Sequence, residues 1–411
     1  SRFMRSRSNS DQLFKRAASV IPGGTYGHLS PASSLPRHFA HFCSSGKGVY
    51  FHDVDQNEWM DFMCAYGAVI HGYQNPIIES AIEKQRSVGT VFNHPHEVSI
   101  ELAEKLTQLV DFASWSVFAK NGSDLTTWSI RVAREHTKRT FVVKARGAYH
   151  GVDAWCDPGM GGRIESDRAD ILEFEWNDLE QLEGIFKSRK DQIAAVILTP
   201  YHHAAFAPSV MPEEGFWAGV RNLCHKNGTI LVLDDVRAGW RLHEKGSHKY
   251  FGFSPDMTVY SKALGNGYAI SACVGIPELK NAASEVFLTG SCWSDAVAMR
   301  AALTSLEICE KDSVASLVLD KGKYFCSGLE NLALEFNFKL RMTGPTSMPY
   351  PWFDGDDNLY RIQNFCQIAS KYGLFFHPHH NWFISNAHDQ VSLDKALALA
   401  RSSFEEMQNE L

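Results

Sequence analysis

Six short apolar runs recur between Ser116 and Ile276, and none of them alternates with polar residues. They are "SVFAK" (Ser116–Lys120), "TFVVKA" (Thr140–Ala145), "IAAVILTP" (Ile193–Pro200), "TILVLDDV" (Thr229–Val236), "MTVYSK" (Met257–Lys262) and "ACVGI" (Ala272–Ile276). A strand with one wet face alternates, whereas a strand covered on both faces reads as a continuous apolar run. Ahead of them stand two amphipathic helices, "NPIIESAIEKQRSV" (Asn75–Val88) and "EVSIELAEKLTQLV" (Glu97–Val110), the first opened by an N-cap and a proline. Alternating helix and strand signals from about residue 75 to 310 predict an α/β fold with a mainly parallel sheet.

The flanks read differently. "GKGVYFHDVDQNEWMDF" (Gly46–Phe62) predicts a strand, a turn and a second strand, and an amphipathic helix begins near Ser10. "DAVAMRAALTSLEICEKD" (Asp295–Asp312) is a long helix leading to an α+β segment that ends in the helix "SLDKALALARSSFEEMQ" (Ser392–Gln408). The expected organisation is a large domain over residues 71–297 and a smaller one built from 1–70 and 298–411.

Composition excludes several classes. With 44% hydrophobic and 21% charged residues, the 411-residue chain is globular. A net charge of -7 and the lack of a basic patch argue against nucleic acid as a partner. No run of about 18 apolar residues is present, so no membrane span is expected. The start is basic and Ser-rich like a transit peptide but lacks the apolar core of a secretory signal. Nine scattered cysteines without zinc spacing fit a reducing, cytoplasmic setting.

Chemistry gathers at the ends of the apolar runs. In "AKNGSDLTTWSIRVAR" (Ala119–Arg134) a strand passes through a Gly-Ser turn into a helix, which makes either a phosphate cradle or an ordinary N-capped helix. "GAYHG" (Gly147–Gly151) offers an aromatic to stack on a flat ring, or a core tyrosine in a turn. "LVLDDVRAGWR" (Leu231–Arg241) ends a buried run with two carboxylates; they either solvate and cap the next turn or meet a protonated ring nitrogen. Lys262, in "VYSKALGNGY", is either a snorkelling lysine or a desolvated amine that attacks carbonyls. Ligands of open parallel sheets collect at the carboxyl ends of strands. An anion, a flat ring, a basic ring nitrogen and an aldehyde are the features of pyridoxal 5'-phosphate.

With these motifs the sequence resembles the class III aminotransferases of fold type I, in the branch around glutamate-1-semialdehyde aminomutase. The likeness runs from "VIPGGTYG" (Val20–Gly27) to "FISNAH" (Phe383–His388) and is most specific in "LVLDDVRAGWR", "GSHKYFGFSPDMTVYSKALGNG" and "KNGSDLTTWSIRVAR". It implies a seven-stranded, mainly parallel sheet in the large domain and pyridoxal 5'-phosphate as cofactor. Lys262 would be the Schiff-base lysine and Asp234 the partner of the pyridinium nitrogen. Val236 and Tyr149 would pack on opposite faces of the ring, with His150 beside the stacking aromatic. Gly122 and Ser123 would hold the phosphate, and Ser291 would reach it from a neighbouring subunit, so a homodimer with shared sites is implied.

The departures bear on substrate. Ser30 stands where the aminomutase has a carboxylate-gripping arginine, Thr199 replaces a glutamate, and Asp234-Asp235 replaces Asp-Glu. "YHHAAFA" (Tyr201–Ala207) and the shortened "HPHHNWF" (His377–Phe383) are rich in histidine. No acidic residue completes a metal ligand set in either, so they are read as pocket wall or substrate contacts and no metal is expected. The expected activity is transfer of an amino group from an amino donor to an aldehyde or ketone, polar and hydroxylated. The alternatives are an aminomutase moving the group within one molecule and a non-catalytic binding protein.

Overall fold

Consecutive residues of a strand point to opposite faces, and in this chain both faces are dry. Val142, Ile197 and Val232 pack into one apolar cluster, while their neighbours Val143, Val196 and Leu231 pack into another. Each run must therefore be apolar throughout. The structure, a computed structural model, describes residues 5–25, 35 and 39–411. The chain falls into two units, one of Ser1–Asn75, Ala205–Ser209 and Leu317–Leu411, the other of Pro76–Ala204 and Val210–Ser316.

The second unit holds a seven-stranded sheet. Its order is Trp115–Ala119, Ser271–Gly275, Met257–Tyr260, Ile230–Asp234, Ile193–Leu198, Phe141–Ala145 and Ile171–Phe174. Only Ser271–Gly275 runs against its neighbours, so the sheet is mainly parallel, as the apolar runs predict. Two details differ from the sequence reading. The strand after Met257 stops at Tyr260, before Lys262. The edge strand Ile171–Phe174 carries no apolar run that would announce it, because only Phe174 is fully buried.

Buried polar groups lock this sheet. Asp256 enters the strand Met257–Tyr260 and accepts from the Leu231 backbone N–H at 2.7 Å and from Arg221 at 3.0 Å. It thus ties a strand start to the neighbouring strand and to the helix Phe216–Asn227.

The first unit has a four-stranded sheet in the order Cys43–Lys47, Tyr50–Asp53, Glu58–Asp61 and Leu374–Phe375. Its tight turn is organised by buried Asp53, which accepts from the Asp55 and Asn57 backbone N–H groups, both at 2.9 Å, and from the Trp59 indole at 3.0 Å. Cys64, Ala65 and Tyr66 then take φ of 53°, 53° and 56°. Left-handed backbone costs roughly 1–2 kcal/mol for each such residue. Asp61 offsets it by accepting from the Met63 and Cys64 N–H groups at 2.7 and 3.0 Å.

Removing Asp256 leaves the half-buried Arg221 without its carboxylate. Asp256→Ala is expected to cost about 2–3 kcal/mol, from the lost charge-assisted hydrogen bond and the unpaired Leu231 N–H, seen as a lower denaturant midpoint of the second unit. An unchanged midpoint would show that the ion pair does not hold the sheet.

Candidate active site

The carboxyl ends of the parallel strands bring the predicted residues onto one unit. Asp234 closes the strand Ile230–Asp234 and pairs in register with Val259, three residues before Lys262. The Asp234 carboxylate is 5% exposed and clamped from two sides. His150 Nδ1 lies 2.8 Å from Oδ2, and the Val236 N–H donates to Oδ1 at 3.1 Å. His150 is held in turn, its ring stacked on Trp155 at 6.0 Å and its carbonyl accepting from Thr126 at 2.6 Å. Tyr149, next to it, is 43% exposed and free to lie against a ligand.

Lys262 follows the next strand, in a short 3-10 turn, with φ of 49°. A non-glycine residue in that region marks strain of the kind found at functional sites. The turn is pinned by Ser261, which donates to the Ile270 carbonyl at 2.8 Å, and by Ser305, which donates to the Ala263 carbonyl at 3.1 Å. Burial, then the guanidinium groups of Arg237 and Arg241, lowers the Lys262 ammonium to about 7, against a weaker opposing pull from Asp234. Near neutrality a large share of Lys262 is therefore the nucleophilic amine.

Gly122 and Ser123 sit within the first turn of the 16-residue helix Gly122–Thr137, rather than in a turn before it. The cap is a reciprocal box: the Asp124 side chain accepts from the Asn121 N–H at 2.8 Å and the Lys120 N–H at 3.2 Å, and the Asn121 side chain accepts from the Asp124 N–H. Ser123 Oγ accepts from the Val152 N–H at 2.9 Å, which leaves its own proton to donate. A Cβ at Gly122 would lie 2.9 Å from Val236 Cγ2, so this glycine lets the helix start and Val236 close on each other. Ser291 lies exposed in the turn ahead of the helix Ala296–Lys311. Ser30 lies outside the described residues.

A buried carboxylate, an amine near neutrality, an exposed aromatic ring and a helix start with a free hydroxyl proton fit pyridoxal 5'-phosphate. The aminotransferase class-III family matches residues 33–404. The chain belongs to the class III aminotransferases. It is thus a pyridoxal 5'-phosphate enzyme. This aminotransferase is 37% identical to an aminopentol aminotransferase of Sphingopyxis macrogoltabida, over 95% of this chain and 93% of that one. It is 35% identical to a 3-aminobutyryl-CoA aminotransferase of Cloacimonas acidaminovorans (strain Evry), over 98% of both. A glutamate-1-semialdehyde 2,1-aminomutase of Francisella tularensis subsp. holarctica is more distant, 28% identical over 98% of this chain and all of that one. The structure of the FumI protein of Sphingopyxis sp. MTA144, in its PLP internal aldimine form, superposes with a TM-score of 0.95 at 35% identity, covering 97% of this chain and 96% of that one.

The aminotransferase also answers which acidic and basic neighbours serve the site. Asp235 turns away to Ser247, accepting from its N–H at 3.0 Å and its hydroxyl at 2.6 Å; burial pushes this carboxyl up to about 7. Arg237 is the group that sequence reasoning missed. Its charge acts on Tyr149, Lys262 and His203 together. The signal was its place three residues after Asp234, in a stretch already singled out for its carboxylates. The histidine-rich stretch His377–Phe383 belongs to the first unit, where the Tyr66 ring meets His380 at 5.4 Å and His377 at 6.2 Å.

Two outcomes are expected. When pyridoxal 5'-phosphate is added to cofactor-free protein, the rate at which a visible band forms should fall as pH drops through about 7, because protonation removes the Lys262 amine. Arg237→Leu should move that midpoint upward, and Lys262→Ala should abolish the band; a midpoint near that of an ordinary lysine would refute the assignment. Separately, Gly122→Ala should weaken cofactor retention about tenfold by overpacking against Val236. Adding Val236→Ala should relieve the clash yet recover retention only in part, since it also thins the ring wall, and a Gly122→Ala variant that retains the cofactor as the wild type does would remove Gly122 from the cradle.

Proposed function

We propose that this aminotransferase moves an amino group between a hydroxylated amine and an aldehyde or ketone, and that Lys262 and Asp234 carry the chemistry. The observation behind the reading is their placement on adjacent strand ends: an amine lowered to about 7 and a carboxylate clamped by His150 and the Val236 N–H. Pyridoxal 5'-phosphate, when bound, supplies an aldehyde for the amino group and a ring that withdraws electrons.

The chain's residues divide the remaining work. Lys262 Nζ would take a proton from the substrate carbon and deliver it to the cofactor carbon that takes up the amino group, a role suited to a base whose pKa lies near the working pH. Asp234 keeps a proton on a ring nitrogen, and His150 fixes the carboxylate that does so. Tyr149 and Val236 sandwich the ring. Gly122 and Ser123 receive the phosphate at the helix start, and the partner subunit's Ser291 completes that cradle in a homodimer. An exposed Ser291 is in keeping with a contact across a dimer.

The substrate class is supported by the relative named for an aminopentol and by two neutral histidines on the segment beside the Asp234 strand, of which His203 feels the charge of Lys262. Burial holds His202 down to about 4 and His203 well below the ordinary imidazole range. We place the enzyme in the cytoplasm, since all nine cysteines are free thiols and seven are buried. Among the described residues no helix is long and apolar enough to cross a membrane.

An absorbance spectrum recorded with a panel of amines, without any carbonyl acceptor, tests the reading. A hydroxylated amine should bleach the visible band in one half-reaction, and a ketone or aldehyde should restore it. A band that glutamate semialdehyde alone cycles, with no second amine, would point instead to an aminomutase.

A further inference from the structure

Strand Ile193–Leu198 lies beside the Asp234 strand, with Leu198 paired to Leu233. The chain leaving it is pinned at every step. Thr199 donates to the Tyr201 carbonyl at 2.7 Å, and the Trp217 indole donates to the Pro200 carbonyl at 3.2 Å. His202 exchanges backbone hydrogen bonds with Val210 at 2.9 and 2.8 Å, and its ring stacks on Trp176 at 5.6 Å. The segment also lies against the turn that carries Tyr149. A Cβ on Gly147 would stand 3.6 Å from Ala204 and 4.0 Å from His202.

Between these anchors sits His203, 8% exposed, with its ring edge-on to Tyr201 at 5.1 Å. The ring reaches only its own backbone, and neither nitrogen finds a hydrogen-bond partner on another residue. A buried imidazole in that state is costly, and such groups in native proteins call for an explanation. The residues ahead of it, Thr199 to His202, are each held by a bond or a ring contact, so the arrangement is not one of general looseness.

We propose that His203 hydrogen-bonds a hydroxyl group of the amine substrate and thereby determines which amines the enzyme accepts. The inference rests on the aminotransferase reading above. Burial, with the charges of Arg237 and Lys262, keeps the ring neutral. With one ring N–H turned to the residue's own carbonyl, the other nitrogen of the neutral imidazole is left as an acceptor, which the O–H of an alcohol satisfies. A carboxylate has no donor and is served better by the Arg237 guanidinium. The position therefore selects an amino alcohol over the same amine without its hydroxyl.

The test compares 3-amino-2-butanol with 2-aminobutane in the half-reaction of holoenzyme, followed by loss of the visible band. Wild type should favour the amino alcohol in kcat/KM by at least about tenfold, since a site built to bond a hydroxyl rejects the analogue lacking it. His203→Phe should erase that preference by slowing the amino alcohol, with 2-aminobutane changed by less than about threefold. His203→Gln, which retains a donor and an acceptor, should recover part of it. A preference that survives in both variants would overturn the role, as would a wild type that treats the two amines alike. Loss of the visible band in both variants, with folding intact by thermal melt, would assign His203 to the cofactor and overturn it too. If neither amine bleaches the wild-type band while another, unhydroxylated amine does, the hydroxylated-substrate reading and this inference fail together but the aminotransferase stands.

Discussion

A carboxylate at the end of a fully buried strand is the constraint on which the site depends. Asp234 ends a strand whose other residues all lie inside. Left alone there it would take up a proton or pull the strand end toward water. The His150 ring and the Val236 N–H hold it in place, and each brings a second element with it. His150 carries the Tyr149 turn, and Val236 meets the start of the helix Gly122–Thr137. One buried charge thus sets the positions of ring wall, helix terminus and strand end.

Lys262 complements this arrangement. Its left-handed backbone is tolerated because Ser261 and Ser305 fix the turn on either side. Its amine is kept near neutrality first by burial and then by two guanidinium groups. The same positive surroundings act on His203, so neighbouring basic groups are all biased toward their uncharged forms. Asp235, adjacent in sequence to Asp234, is spent on anchoring Ser247. Two carboxylates side by side in the chain therefore have separate duties.

Much of this was legible in the residues. Continuous apolar runs announced the sheet because both faces are covered, and the edge strand Ile171–Phe174 stayed hidden because its side chains are mostly half-wet. The lysine and aspartate could be picked out because a charge at the end of an apolar run is expensive. Arg237 and His203 stand in stretches that the sequence singles out, but which of their residues matter depends on what surrounds them. Nothing in "LVLDDVRAGWR" says that its first arginine, rather than its last, acts on Tyr149. Nor does "YHHAAFA" distinguish the histidine that stacks on Trp176 from the one that faces Tyr201. The capping role of Asp124 was equally open, since a carboxylate at that position can face a ligand or its own helix.

That cap has a consequence for how such an enzyme diverges. In many helices the residue that greets an anion is also the one that ties off the backbone. Here Asp124 and Asn121 secure the first turn between them, Asp124 accepting from the Lys120 and Asn121 N–H groups and the Asn121 side chain accepting from the Asp124 N–H. Ser123, one residue earlier, keeps its hydroxyl proton uncommitted. Descendants of this chain can trade the anion-facing side chain for another without unravelling the helix that presents it. The folding information and the binding information occupy adjacent letters, and selection can edit one while leaving the other intact.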